Sequence, residues 1–101
     1  MPDADDPPLY LMAVIRPRIE DAAEAEIHLR ALMAGTRMEP GCEYMELVVS
    51  DAEPDTWFML EKFRSREDWD LHMASAHVTE GNAALEGLLR EPTELRFYTE
   101  K

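Results

Sequence analysis

Residues 57–78, WFMLEKFRSREDWDLHMASAHV, carry most of what the sequence says about fold and chemistry. The stretch opens as a strand. Trp57, Met59, Glu61 and Phe63 alternate with Phe58, Leu60 and Lys62, so each set shares one face. Ser65-Arg-Glu-Asp68 then has the form of a helix N-terminus, with the Ser65 hydroxyl placed to accept from the Asp68 amide. The helix it opens carries Trp69 and His72 and runs to about Ala74. Ser75-Ala76-His77 reads as a break and a new start. Only here do an acid, two histidines and large aromatics lie close together in the chain.

Outward from this stretch the elements alternate. Leu9 to Arg16, an unbroken apolar run closed by Pro17, predicts a strand covered on both faces. Ile19 to about Met38 predicts a helix with Ala22, Ala25, Leu29, Leu32 and Met33 as its apolar stripe, and Pro40-Gly41 stops it. Cys42 to Ser50 predicts a second strand, with Met45, Leu47 and Val49 facing one way and Cys42, Tyr44, Glu46 and Val48 the other. A turn over 51–55 joins it to the third strand, Thr56 to Arg64. Helical structure continues from Val78 to Arg90 through Leu85, Leu88 and Leu89, weakened by about 1 kcal/mol at each of Gly81 and Gly87. Thr93 to Thr99 predicts the last strand. The order β-α-β-β-α-α-β, with right-handed crossovers, predicts an α+β ferredoxin-like fold: a four-stranded antiparallel sheet with helices on one face. The other face, with Phe58, Leu60, Met12 and Val14, then lacks a cover, and a second copy of the same sheet supplies one as a homodimer.

The 101 residues are one domain, 9–101, behind a disordered acidic tip, 1–8. A net charge of −12 opposes phosphate backbones and anionic membrane surfaces, so neither nucleic acid nor membrane is an expected partner. The lone Cys42 excludes an internal disulfide. The first residues lack the basic and apolar regions of a signal peptide, and no apolar run approaches a membrane span. These features together predict a cytoplasmic protein.

Three segments, E-P-G-C (39–42), E-K-F (61–63) and H-M-A-S-A-H-V (72–78), resemble the antibiotic biosynthesis monooxygenase domain family. The likeness extends from about Leu9 to Lys101 and is nearest to small quinol-monooxygenase-like and autoinducer-2-processing members. It implies a dimeric α/β barrel, formed sheet to sheet, with a pocket between sheet and helices in each subunit. It also implies a range of activities: cofactor-free oxygenation of phenols, hydroquinones and anthrone-like polyketides, isomerisation of a phosphorylated sugar-like compound, haem degradation, or none known. The haem-degrading pattern asks for other residues at Ile15, Phe63 and Asn82, so haem is not expected.

His72, on a helix facing the sheet, is the expected base, against a structural reading as a hydrogen-bonded core histidine. Glu61, a mid-strand acid, needs a partner. His72 or Arg96 would serve, either as an orienting pair or as a structural ion pair. His77 reads as a bridge at the helix break or a substrate contact. Trp57, Phe63 and Trp69 read as pocket wall mixed with core. Tyr44 is a possible donor to a substrate oxygen, and Cys42 a small buried hydrophobe. Histidines 28, 72 and 77 lack zinc-motif spacing, and no flavin or iron motif is present, so no metal and no cofactor are expected. The expected function is a cofactor-independent monooxygenase that uses dioxygen on a small aromatic substrate: a phenol, hydroquinone or polyketide. Two alternatives stand beside it. One is an isomerase of a carbonyl or phosphorylated compound, with Arg64, Arg66 and Arg96 as its cationic candidates. The other is a non-catalytic ligand-binding or stress-associated dimer.

Overall fold

Four strands make one antiparallel sheet: β1 (Leu9–Ile15), β2 (Cys42–Ser50), β3 (Glu53–Phe63) and β4 (Glu94–Tyr98), in the spatial order β2-β3-β1-β4. This computed structural model describes residues 6–101, so residues 1–5 of the expected acidic tip lie outside it. Three α-helices connect the strands: α1 (Ala22–Arg37), α2 (Arg66–Met73) and α3 (Ala76–Leu85). The fold is the expected ferredoxin-like α+β arrangement. Alternation sets the face of each strand. Leu11, Ala13 and Ile15 of β1 pair with Glu61, Met59 and Trp57 of β3, and this set looks toward the helices. Ala25, Leu29, Leu32 and Met33 of α1 pack onto it, as the three-and-four spacing of the sequence predicts.

The helix expected to reach Arg90 ends as an α-helix at Leu85 and is followed by a 3-10 turn over Glu86–Leu88, and three further features differ from expectation for local reasons. The segment Ile19–Asp21 forms a 3-10 turn before α1, so the α-helix proper starts at Ala22. The expected five-residue turn contracts to Asp51-Ala52, held by the Ala52 amide donating to Ser50 Oγ at 3.1 Å. The surplus goes into an irregularity in β3, where Pro54 gives up no ladder donor. The third difference is a bulge at Glu43. Cys42 pairs with Phe63 and Tyr44 with Lys62, so two steps on β2 match one on β3. Cys42 therefore shares the helix-side face with Met45, where strict alternation had placed it with Tyr44.

Local chemistry also fixes α2 and α3. Ser65 Oγ accepts from the Asp68 amide at 3.1 Å, as expected of the cap. At the other end Ser75 Oγ donates to the His72 carbonyl at 2.6 Å, closing α2 so that α3 starts at Ala76. Gly81 has a packing role besides its cost in helix stability: a Cβ there would stand 2.9 Å from Leu32 Cδ1, so it lets α3 lie close on α1. On the sheet's opposite face Phe58 and Leu60 are half-buried and Val48 is exposed. Val14, expected among the uncovered residues of that face, is fully buried, and Met12 is half-buried.

Candidate functional site

A cavity of about 710 Å³ lies between the sheet and the helices. Leu11, Ala13, Met45 and Met59 form its sheet wall and Leu32 and Val78 its helix wall, so it is mainly apolar. Glu61, Trp69 and His72 bring polar groups to it, and Asn82, Glu86, Arg90, Glu91 and Thr93 are also on its lining. His72 is 4% exposed. Its ring packs on Phe63 with centroids 4.9 Å apart. Its Nδ1–H donates to the Glu39 carboxylate, 3.1 Å from each oxygen. The same carboxylate accepts from His77 Nε2 at 2.6 Å. With Nδ1 committed to Glu39, the lone pair of the neutral ring sits on Nε2, which has no protein hydrogen-bond partner among the described residues. Burial holds the His72 pKa below its ordinary value, against the opposing pull of Glu39. The result is a neutral, oriented imidazole on a large apolar cavity.

Glu61 does not pair with His72 or Arg96 as expected. Arg96 lies in β4 on the opposite face of the sheet, across from Met12, and bonds Glu94 at 2.7 Å. The partner of His72 is Glu39, which the sequence reading had not singled out as a site residue. Glu61 is 6% exposed, lines the cavity, and has no protein hydrogen bond or ion pair among the described residues. Burial, with a smaller contribution from the Glu39 charge, pushes its pKa up to about 8. At neutral pH it is therefore a carboxylic acid with a proton to donate. Burial likewise raises the Cys42 thiol to about 11. That suits the expected small hydrophobe and removes it as a nucleophile.

The family model for antibiotic biosynthesis monooxygenases matches residues 8–84, from before β1 into the last turn of α3. The chain belongs to that family. Solved structures of similar proteins share its architecture. Rv0793 from Mycobacterium tuberculosis is 26% identical, with a TM-score of 0.88 over 93% of this chain and 95% of that one. PA3566 from Pseudomonas aeruginosa is 25% identical, with a TM-score of 0.88 over 98% and 99%. A structure described as an antibiotic biosynthesis monooxygenase is 22% identical, with a TM-score of 0.86 over 92% and 98%. No curated protein matches. Among the described residues, no helix is long and apolar enough to cross a membrane.

In this antibiotic biosynthesis monooxygenase domain, the other expected site residues divide. Trp69 is on the cavity wall, edge-on to Phe97 with centroids 5.2 Å apart. Phe63, fully buried, supports the His72 ring from behind. Trp57 packs at the margin of the core. Tyr44, partly exposed, lies on the uncovered face of the sheet, so the cavity is out of its reach. His77 bridges to Glu39 and does not line the cavity. Glu39, His72 and His77 form the one group of described residues whose ligand atoms converge closely enough to hold a metal ion.

What places Glu39 is the turn it belongs to. Gly41 lies against the start of α2 so closely that a Cβ would stand 2.5 Å from both Cβ and Cγ of Asp68. Asp68 cannot yield, because it is buried and held by Arg64 at 3.0 Å and by Ser65. Gly41→Ala is therefore expected to push the 39–41 turn off α2. The expected cost is about 1–3 kcal/mol, read as a lower urea midpoint, with the His72–Glu39 bond loosened. An unchanged midpoint would show that the turn is not pinned there.

Proposed function

We propose that this protein is a cofactor-independent monooxygenase of an electron-rich phenol, hydroquinone or polyketide-type substrate. The observation that carries the reading is His72: a buried neutral ring, anchored through Nδ1 to Glu39, with Nε2 free on an apolar cavity of about 710 Å³. In this scheme the substrate is itself the reductant. His72 Nε2 takes its acidic proton, and the anion passes one electron to dioxygen. Superoxide and substrate radical then join in a C–O bond, and the peroxide anion takes the proton back from His72. Loss of water across a carbon that still bears hydrogen leaves a carbonyl. One oxygen atom stays in the product and the other leaves as water. Glu39 stabilises the imidazolium while it holds the proton. Glu61, protonated, donates to the substrate oxygen on which negative charge collects. The apolar walls exclude water and admit dioxygen.

The isomerase alternative for a phosphorylated compound finds less support. None of Arg64, Arg66 and Arg96 lines the cavity. Arg90 does line it, but its Nη1 donates to the carbonyls of Pro17 at 2.7 Å and Asp55 at 2.9 Å. We include in the proposal a homodimer, closed by a second copy over the half-buried Phe58 and Leu60, and sedimentation equilibrium at the mass of two chains would support it.

The test is oxygen uptake by flavin-free, metal-stripped protein with a panel of hydroquinones and anthrones. The expected result is one dioxygen consumed per product, with one atom of labelled oxygen retained. Uptake no faster than the substrates' own autoxidation across the panel would overturn the reading.

A further inference from the structure

We infer that Glu39, His72 and His77 form a site for a divalent transition-metal ion of the zinc class, which switches His72 off when filled. Glu39 Oε2, His72 Nδ1 and His77 Nε2 lie within 4.8 Å of one another. Two imidazoles and one carboxylate are a donor set that borderline-soft divalent ions take, commonly with a further position left for water.

The donors are held in place without an ion. The His77 ring rests on α1 at Gly35, where a Cβ would stand 3.0 Å from its Cγ. Ser75 Oγ lies 3.4 Å from His77 Nε2. Glu39 is fixed by the turn that Gly41 pins to α2. A cleft of about 230 Å³ reaches two of the three donors, Glu39 and His72; Arg64 also lines it, with its charge paired to Asp68 at 3.0 Å. The chain's net charge of −12 concentrates cations around it.

The consequence follows from the two nitrogens of one ring. Without the ion, Nδ1–H donates to Glu39 and Nε2 is free to accept a proton. With the ion on Nδ1, the neutral ring must carry its hydrogen on Nε2. Nε2 then presents a donor to the cavity and is no longer a base. Filling the site changes the tautomer of His72 from the Glu39 side of the ring. The ion binding stands on geometry alone; its inhibitory effect rests on the role proposed for His72 above.

The experiment is a titration of the full, metal-stripped chain with Zn²⁺ against a chromophoric chelator, for the wild type, His77→Ala and His77→Gln. One tight equivalent is expected in the wild type. Both variants are expected to bind more than about 100-fold more weakly, since losing even the outer partners of a metal ligand costs 10–100-fold. Ring-nitrogen NMR on ¹⁵N-histidine protein should show His72 Nε2 protonated once Zn²⁺ is added. Binding that the His77 variants leave unchanged would be adsorption to surface carboxylates and would overturn the site. So would an unaltered His72 tautomer at saturation. Where base-dependent oxygen uptake is measurable, Zn²⁺ should abolish it in the wild type. A chain that binds Zn²⁺ as described yet consumes no oxygen keeps the metal site and loses the oxygenase. A chain that consumes oxygen but ignores Zn²⁺ does the reverse.

Discussion

His72→Ala is expected to lower kcat/KM for oxygen-dependent turnover by about 10²–10⁴-fold, the ordinary cost of losing a positioned base. The fold should survive, because the ring's one polar partner, Glu39, keeps its bond to His77 at 2.6 Å. Glu39→Gln separates orientation from proton transfer. Glu39 touches neither cavity nor substrate, so as a positioning residue it should lower kcat while leaving KM nearly unchanged. It should also disturb the His72 tautomer that ring-nitrogen NMR reads. A KM effect of equal size would mean that Glu39 shapes the cavity only. Wild-type rates from His72→Ala would remove the base from the scheme altogether.

Much of the fold was legible because its signals are local. The period-two pattern of 57–63, the Ser65 cap and the break at Ser75 each lie within one element, and each formed where the sequence put it. The bulge at Glu43 was not legible. Nothing in C-E-Y-M distinguishes a strand that skips a residue from one that does not, and the skip decides whether Cys42 faces the helices. The site follows the same division. His72 could be singled out from one helix and its aromatic neighbours. Its partner could not, because Glu39 lies 33 residues away on a turn whose approach depends on Gly41 meeting Asp68. The E-P-G turn was visible in the sequence as a helix stop. What escaped the reading was that Glu39, at that stop, is placed against the far end of α2. Glu61 was recognised as costly to bury, but the pairing assumed for it does not form. The charge is avoided by keeping the proton.

That retained proton gives the second large expectation. The Glu61 carboxyl titrates near 4.5 when the chain is unfolded and at about 8 when it is folded. Between those values the native chain holds one proton more than the unfolded chain. Stability from this group must therefore fall as pH rises from about 4.5 to 8, and level off above. The displacement corresponds to about 4–5 kcal/mol across the window, a large share of a small domain's stability. Glu61→Gln keeps the shape and a donor but cannot ionise, so it should remove that slope and be more stable than the wild type above pH 8. Urea midpoints of both proteins at several pH values between 5 and 9 check this, and the difference between the two curves cancels the other carboxylates. Parallel curves would mean that Glu61 ionises in the folded chain as readily as in the unfolded one. In that case the cavity would hold a carboxylate and no neutral donor for the substrate oxygen. The same substitution then tests the chemistry. Glu61→Gln should retain much of the turnover through its amide N–H, whereas Glu61→Leu, which has no donor, should lose it while leaving the His72–Glu39 bond in place.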